Sequence, residues 1–133
     1  MIDYVGILKQ SPNGVLATHN GQGVGTRVFQ FQFADGNKLY FCTQSFKPVY
    51  EQLTANPNVS FCTYTQDFNP VLSVTGKAVF TEDMELKSRA INDNPLIKDI
   101  YKTPDNPIFK LFYIEVNAIE TFSFADGTKT YKV

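Results

Sequence analysis

At 133 residues the chain suits one domain, which at this size removes roughly two-thirds of its unfolded surface from water. With 12 Lys and Arg against 13 Asp and Glu, the net charge of -1 offers no basic field to a nucleic acid. Phe supplies 12 rings and Tyr 7 while Trp is absent, a bias toward packed β structure that argues against an all-helical chain.

In chain order, Ile2 to Lys9 carries apolar residues at helical spacing and predicts a short first helix, stopped by "SPNG" (Ser11 to Gly14). "VLATH" (Val15 to His19) reads as a buried strand and "NGQGVG" (Asn20 to Gly25) as a turn. "TRVFQFQF" (Thr26 to Phe33) reads as one strand with Phe29, Phe31 and Phe33 on one face and Val28, Gln30 and Gln32 on the other. The hairpin signal "ADGN" (Ala34 to Asn37) makes that strand the antiparallel neighbour of "KLYFCT" (Lys38 to Thr43). Pro48 to Ala55 predicts a helix with Val49 and Leu53 facing the sheet, closed by "NPN" (Asn56 to Asn58). Val59 to Thr65 and Val71 to Phe80 predict two more strands. Glu82 to Asn92 predicts a helix, and the Pro-punctuated stretch from Asn94 to Pro107 continues a helical excursion. Ile108 to Phe124 predicts one long or two short closing strands, joined near Asn117. Six or so strands in hairpins, without βαβ alternation, point to a mainly β fold, an antiparallel barrel or strongly coiled sheet over 1–133.

Several chemistries are disfavoured. "GQGVGT" has the spacing G-x-G-x-G and leads into a strand, so it reads as a turn rather than a dinucleotide fingerprint. His19 is the only histidine, which leaves no His-based metal centre within one chain. Cys42 and Cys62 lie in apolar segments without a Cys-x-x-Cys partner and read as reduced core residues; only Lys47 is a nearby cation for Cys42. Asp67, Asp83 and Asp99 show no paired-carboxylate spacing for hydrolysis. No apolar run approaches the roughly 20 residues of a membrane helix and no leader pattern opens the chain, so the expectation is a cytoplasmic protein without membrane contact.

The informative stretch is "YFCTQSFKPVYEQL" (Tyr40 to Leu53). A strand end rich in hydroxyls and a cation, leading into a helix N-terminus, is suited to hold a phosphate monoester, and Arg27 could add a fork of donors. The alternative from spacing alone is that Thr43 and Ser45 cap the helix, Lys47 is solvated and Arg27 edges a strand.

On these residues the sequence resembles the pyridoxamine 5'-phosphate oxidase-like family of FMN-binding split barrels, in particular its small bacterial members. The resemblance runs from "GVLAT" (Gly14 to Thr18) through Thr26–Tyr64 to "LSVTGKAVF" (Leu72 to Phe80). It implies a six-stranded antiparallel split barrel and a homodimer with FMN in the cleft between subunits. Arg27 and Lys47 would hold the phosphate with help from Thr43, Gln44 and Ser45. The strand from Val28 through Phe29 and Gln30 to Gln32 would run beside the isoalloxazine, and Thr121 to Phe124 of the partner would approach its far end. Two departures stand out: Gln32 and Pro48 occupy positions that are basic in true pyridoxamine phosphate oxidases, and "DGTKTYKV" (Asp126 to Val133) lacks their substrate-binding Arg/His segment. The resemblance therefore implies an FMN-dependent oxidoreductase passing hydride from a reduced nicotinamide to a small acceptor, rather than vitamin B6 oxidation. Its rivals are a non-catalytic flavin- or haem-binding protein, with His19 as the only axial imidazole, and a deazaflavin-dependent reductase.

Overall fold

The computed structural model describes residues 2–133. The elements are α1 (Tyr4–Gln10), β1 (Asn13–His19), β2 (Val24–Gln30), β3 (Phe33–Asp35), β4 (Lys38–Gln44), α2 (Pro48–Ala55), β5 (Asn58–Tyr64), β6 (Val71–Thr81), α3 (Met84–Asp93), α4 (Pro95–Tyr101), β7 (Phe109–Ser123) and β8 (Gly127–Lys132). One antiparallel sheet runs in the order β2-β1-β5-β6-β7-β4-β3, with β8 on β7. The sheet coils until edge strand β2 comes alongside β4, and Phe29 and Phe31 close edge-on against Phe41 across the gap. This is the split-barrel architecture.

Local chemistry explains the element ends. The Asp3 carboxylate accepts from the Gly6 N–H to start α1, and Asp83 accepts from the N–H groups of Glu85 and Leu86 to start α3. Pro48 opens α2 at a position where its missing N–H costs nothing, and Val49 and Leu53 are buried as the spacing predicts. Both "ADG" segments are hairpin turns with glycine at positive φ, Gly36 at 59° and Gly127 at 68°.

Three expectations need correction. The stretch Thr26 to Phe33 is not one strand. The Phe31 N–H donates to Pro12 O on the β1 side, while the Gln32 N–H donates to Tyr40 O, so the chain changes partner at this corner. Hence β2 pairs with β1, and only the short β3 pairs with β4. The corner also turns the side chains. Phe29 and Phe31 enter the barrel interior, but Phe33 stacks on Tyr40 in a second cluster beneath α3 and α4. The third correction is the strand count, eight instead of six, because β3 separates from β2 and the polar tail 127–132 pairs with β7.

The closing segment is one 15-residue strand, as one of the two alternatives had it. It pairs with β6 along its length, with β4 through its first half and with β8 through its second. Thr75 faces Ala118 while Gly76 faces Val116, so Asn117 is the extra residue of a β-bulge that bends the sheet. Gly76 is required there because a Cβ would overlap the Glu115 carbonyl. The barrel core is fully buried at Leu16, Phe41, Phe61, Leu72, Phe112 and Ile114, each such side chain contributing about 1.5–3 kcal/mol of transfer free energy.

Candidate functional site

A cleft of about 210 Å³ lies over the split between β2 and β4, walled by α4. Six of the eight sequence-predicted site residues line it: Arg27, Val28, Phe29, Gln30, Gln44 and Lys47. Thr43 and Ser45 do not. Thr43 alternates with Cys42 and Gln44 along β4, so its side chain turns to the opposite face. There Oγ1 is buried and is the one buried side-chain polar atom among the described residues without a hydrogen-bond partner.

Arg27 sits on the inward face of β2, opposite Leu16 of β1. Its Nη1 donates to Leu16 O at 3.1 Å and to Thr18 Oγ1 at 2.8 Å, and Nη2 donates to Gln52 Oε1 at 2.9 Å. The Thr18 hydroxyl donates to the same Gln52 oxygen at 2.8 Å. All of these acceptors are neutral. Among the described residues no carboxylate pairs with Arg27, and partial burial lowers the guanidinium pKa. A half-buried cation held by uncharged partners is a ready anion site. Lys47 adds a second positive charge. It is the exposed N-cap of α2, forms no side-chain capping bond and no ion pair, and precedes the positive end of the helix dipole.

Away from α2 the cleft becomes neutral. The Asn94 amide, between α3 and α4, donates to Gln30 Oε1 at 3.1 Å and to Gln32 Oε1 at 3.0 Å, while Asn94 Oδ1 accepts from the Leu96 N–H to cap α4. Gln30 Nε2 in turn donates to Asn13 Oδ1. This amide network ties α4 to the edge strand and presents Leu96, Ile97 and Ile100 as an apolar wall. Tyr101 closes it from behind, its ring stacked on Phe109 and its hydroxyl donating to Thr43 O. Burial raises the Tyr101 pKa, partly offset by the Gln44 amide. Sequence reasoning missed this wall, together with Thr18 and Gln52.

Two other candidates fall outside the cleft chemistry. Cys42 lines the cleft, but burial pushes its thiol up to about 12, which suppresses the nucleophilic thiolate. His19 ends β1 and lines two neighbouring cavities, not this one. Among the described residues no group of His, Cys, Asp and Glu could hold a metal ion, and no helix is long and apolar enough to cross a membrane.

The fit to a flavin monophosphate is therefore sound at the level of donors. Two cations stand at the α2 end for a phosphate, neutral amides at the other end can meet a polar ring edge, and an apolar wall can flank a ring face. The volume is below the roughly 300 Å³ at which pockets for drug-sized ligands begin.

Several solved structures share this fold. A NimC/NimA family protein from Clostridium acetobutylicum superposes with a TM-score of 0.87 at 25% identity, covering 98% of this chain and 90% of its own. General Stress Protein 26 from Bacillus anthracis gives 0.80 at 22% identity, covering 97% and 95%. A candidate pyridoxamine 5'-phosphate oxidase from Listeria innocua gives 0.76 at 28% identity, covering 89% and 94%. No curated protein sequence matches the chain significantly. The family profile described as pyridoxamine 5'-phosphate oxidase matches residues 3–123, nearly the whole fold including β2, β4 and the α4 wall. The chain belongs to the pyridoxamine 5'-phosphate oxidase family.

Proposed function

We propose that this protein is an FMN-binding homodimer whose cleft over the β2–β4 split passes hydride or electrons from a reduced nicotinamide to a small acceptor. The observation that carries the reading is the pairing, in one cleft, of Arg27 without an acidic partner and Lys47 without an ion pair. Those two side chains hold the phosphate. The β2 backbone from Val28 to Gln30 and the Gln30 amide orient the polar edge of the ring, and Asn94 fixes the Gln30 rotamer. When bound, FMN supplies the two-electron chemistry. Leu96 and Ile100 of α4 exclude water from one flank.

The second copy supplies the other half. Val28 is 73% exposed, Leu96 61% and Phe124 79%, an amount of uncovered apolar surface that suits a partner rather than solvent. This chain's own lining of the cleft offers a haem no imidazole, since its His19 lies elsewhere.

Binding of FMN to Arg27→Ala and Lys47→Ala tests the assignment. Each substitution is expected to weaken binding by about 1.5–3 kcal/mol, the range for hydrogen bonds to charged groups, or roughly 10- to 150-fold in Kd. Wild-type affinity in both variants would refute it.

A further inference from the structure

We infer that Gln52, acting with Thr18, is a positioning residue that keeps Arg27 aimed into the cleft yet electrically uncompensated, so that the cleft selects a phosphorylated flavin over the same flavin without phosphate. This rests on the FMN reading above and deepens it.

Gln52 Oε1 is a double acceptor, taking the Thr18 hydroxyl at 2.8 Å and Arg27 Nη2 at 2.9 Å, while Thr18 Oγ1 accepts from Arg27 Nη1 at 2.8 Å. The three side chains form a closed ring of hydrogen bonds joining β1, β2 and α2, and Thr18 is buried within it. Geometry alone would be served better by glutamate, which has the same shape and accepts more strongly from a guanidinium. An amide holds the same position without cancelling the charge. Stability would favour the carboxylate; keeping Arg27 available to an outside anion favours the amide.

The donors left over support this. A guanidinium has five N–H groups, and the three bonds to Leu16, Thr18 and Gln52 leave Nε–H and one Nη2–H unused. These two form the lateral fork that meets an oxyanion in bidentate fashion. Gly25 lies two residues before Arg27 on the same face of β2, and a Cβ there would stand 3.1 Å from Nη2, crowding that fork. Burial also lowers the Arg27 pKa, so an arriving anion relieves a desolvated charge.

The test titrates the full chain, stripped of flavin, with FMN and separately with riboflavin, reading the quenching of flavin fluorescence, for wild type and Gln52→Glu. Wild type is expected to prefer FMN. Q52E is expected to lose at least about tenfold in FMN affinity while its riboflavin affinity stays within about twofold. Its ligand-free unfolding midpoint should be unchanged or higher, because an Arg–Glu pair has formed. Damage to the fold cannot produce that combination. If Q52E keeps the wild-type ratio of FMN to riboflavin affinity, the role given to Gln52 is wrong and the FMN reading stands. If wild type does not distinguish the two flavins, the phosphate reading and this inference fall together. Should Q52E not fold, Thr18→Val removes the hydroxyl from the ring. A lowered FMN-to-riboflavin ratio in that variant supports the inference and an unaltered one overturns it.

Discussion

Thr43→Val isolates the one buried polar atom that the fold leaves unmet. The side chain is 2% exposed and its Oγ1 has no hydrogen-bond partner. Burying a hydroxyl without a partner costs about 1–3 kcal/mol in protein mutational terms. Valine replaces it with a methyl of similar shape on a β-strand, where β-branching is favourable. The variant is therefore expected to gain about 1–2 kcal/mol, less than the full penalty because the surrounding packing adjusts only in part. For a domain of this length that is roughly 3–5 °C in midpoint per kcal/mol. Thermal unfolding followed by circular dichroism, checked by urea titration, reads the gain, and FMN affinity should stay at the wild-type value because the hydroxyl faces away from Gln44 and the cleft. A lowered midpoint would show that the hydroxyl has a partner. Weakened FMN binding at unchanged stability would restore Thr43 to the phosphate site, where the family resemblance had put it.

Glu82→Gln removes the countercharge of Lys87, which is 3% exposed, lies 2.8 Å from Glu82 Oε2 and also donates to Phe109 O. Discounted for the exposed carboxylate, the expected loss is about 1–3 kcal/mol. The hydrogen bond from Lys87 holds the Glu82 pKa below its ordinary value, so this contribution is complete above that value and disappears as pH falls through the lowered one. Urea midpoints of wild type and variant should therefore converge below about pH 4; a constant gap from neutral pH down to pH 3 would contradict the pairing. Cys42, with its thiol pushed up to about 12, should present a thiolate fraction on the order of one in ten thousand at pH 8. Peptide mass mapping after alkylation of the native chain should find it unmodified until denaturant is added, and rapid native labelling would show an activated thiol.

Much of the fold was legible because its signals are local. Pro48, with Val49 and Leu53 one turn apart, specifies α2 wherever it packs, and the two "ADG" turns demand glycine at positive φ. The corner at Phe31 and Gln32 was not legible. Alternation continues through it, and the change of partner depends on the Pro12 and Tyr40 carbonyls, distant in sequence. Strand β8 is polar and exposed over most of its length, so its pairing with β7 leaves little periodic trace.

The site divides in the same way. Arg27 and Lys47 stand out as cations beside strand and helix ends, and the structure brings both to one cleft. The α4 wall draws on residues that a Pro-punctuated run presents without regular spacing. Gln52 meets Arg27 across 25 positions and Thr18 across 34. One trace of that ring was present: Thr18 follows Leu16 at an inward position, and a hydroxyl buried in an apolar strand needs a partner.

The central claim is that the cleft over the barrel split grips a flavin by its phosphate. The most direct measurement is the mass and stoichiometry of the cofactor released on denaturing the purified protein, after exposure to an equal mixture of FMN and riboflavin and removal of unbound flavin. FMN close to one per chain, with little riboflavin, is the expected result. Riboflavin retained as well as FMN, or neither retained, would contradict the account.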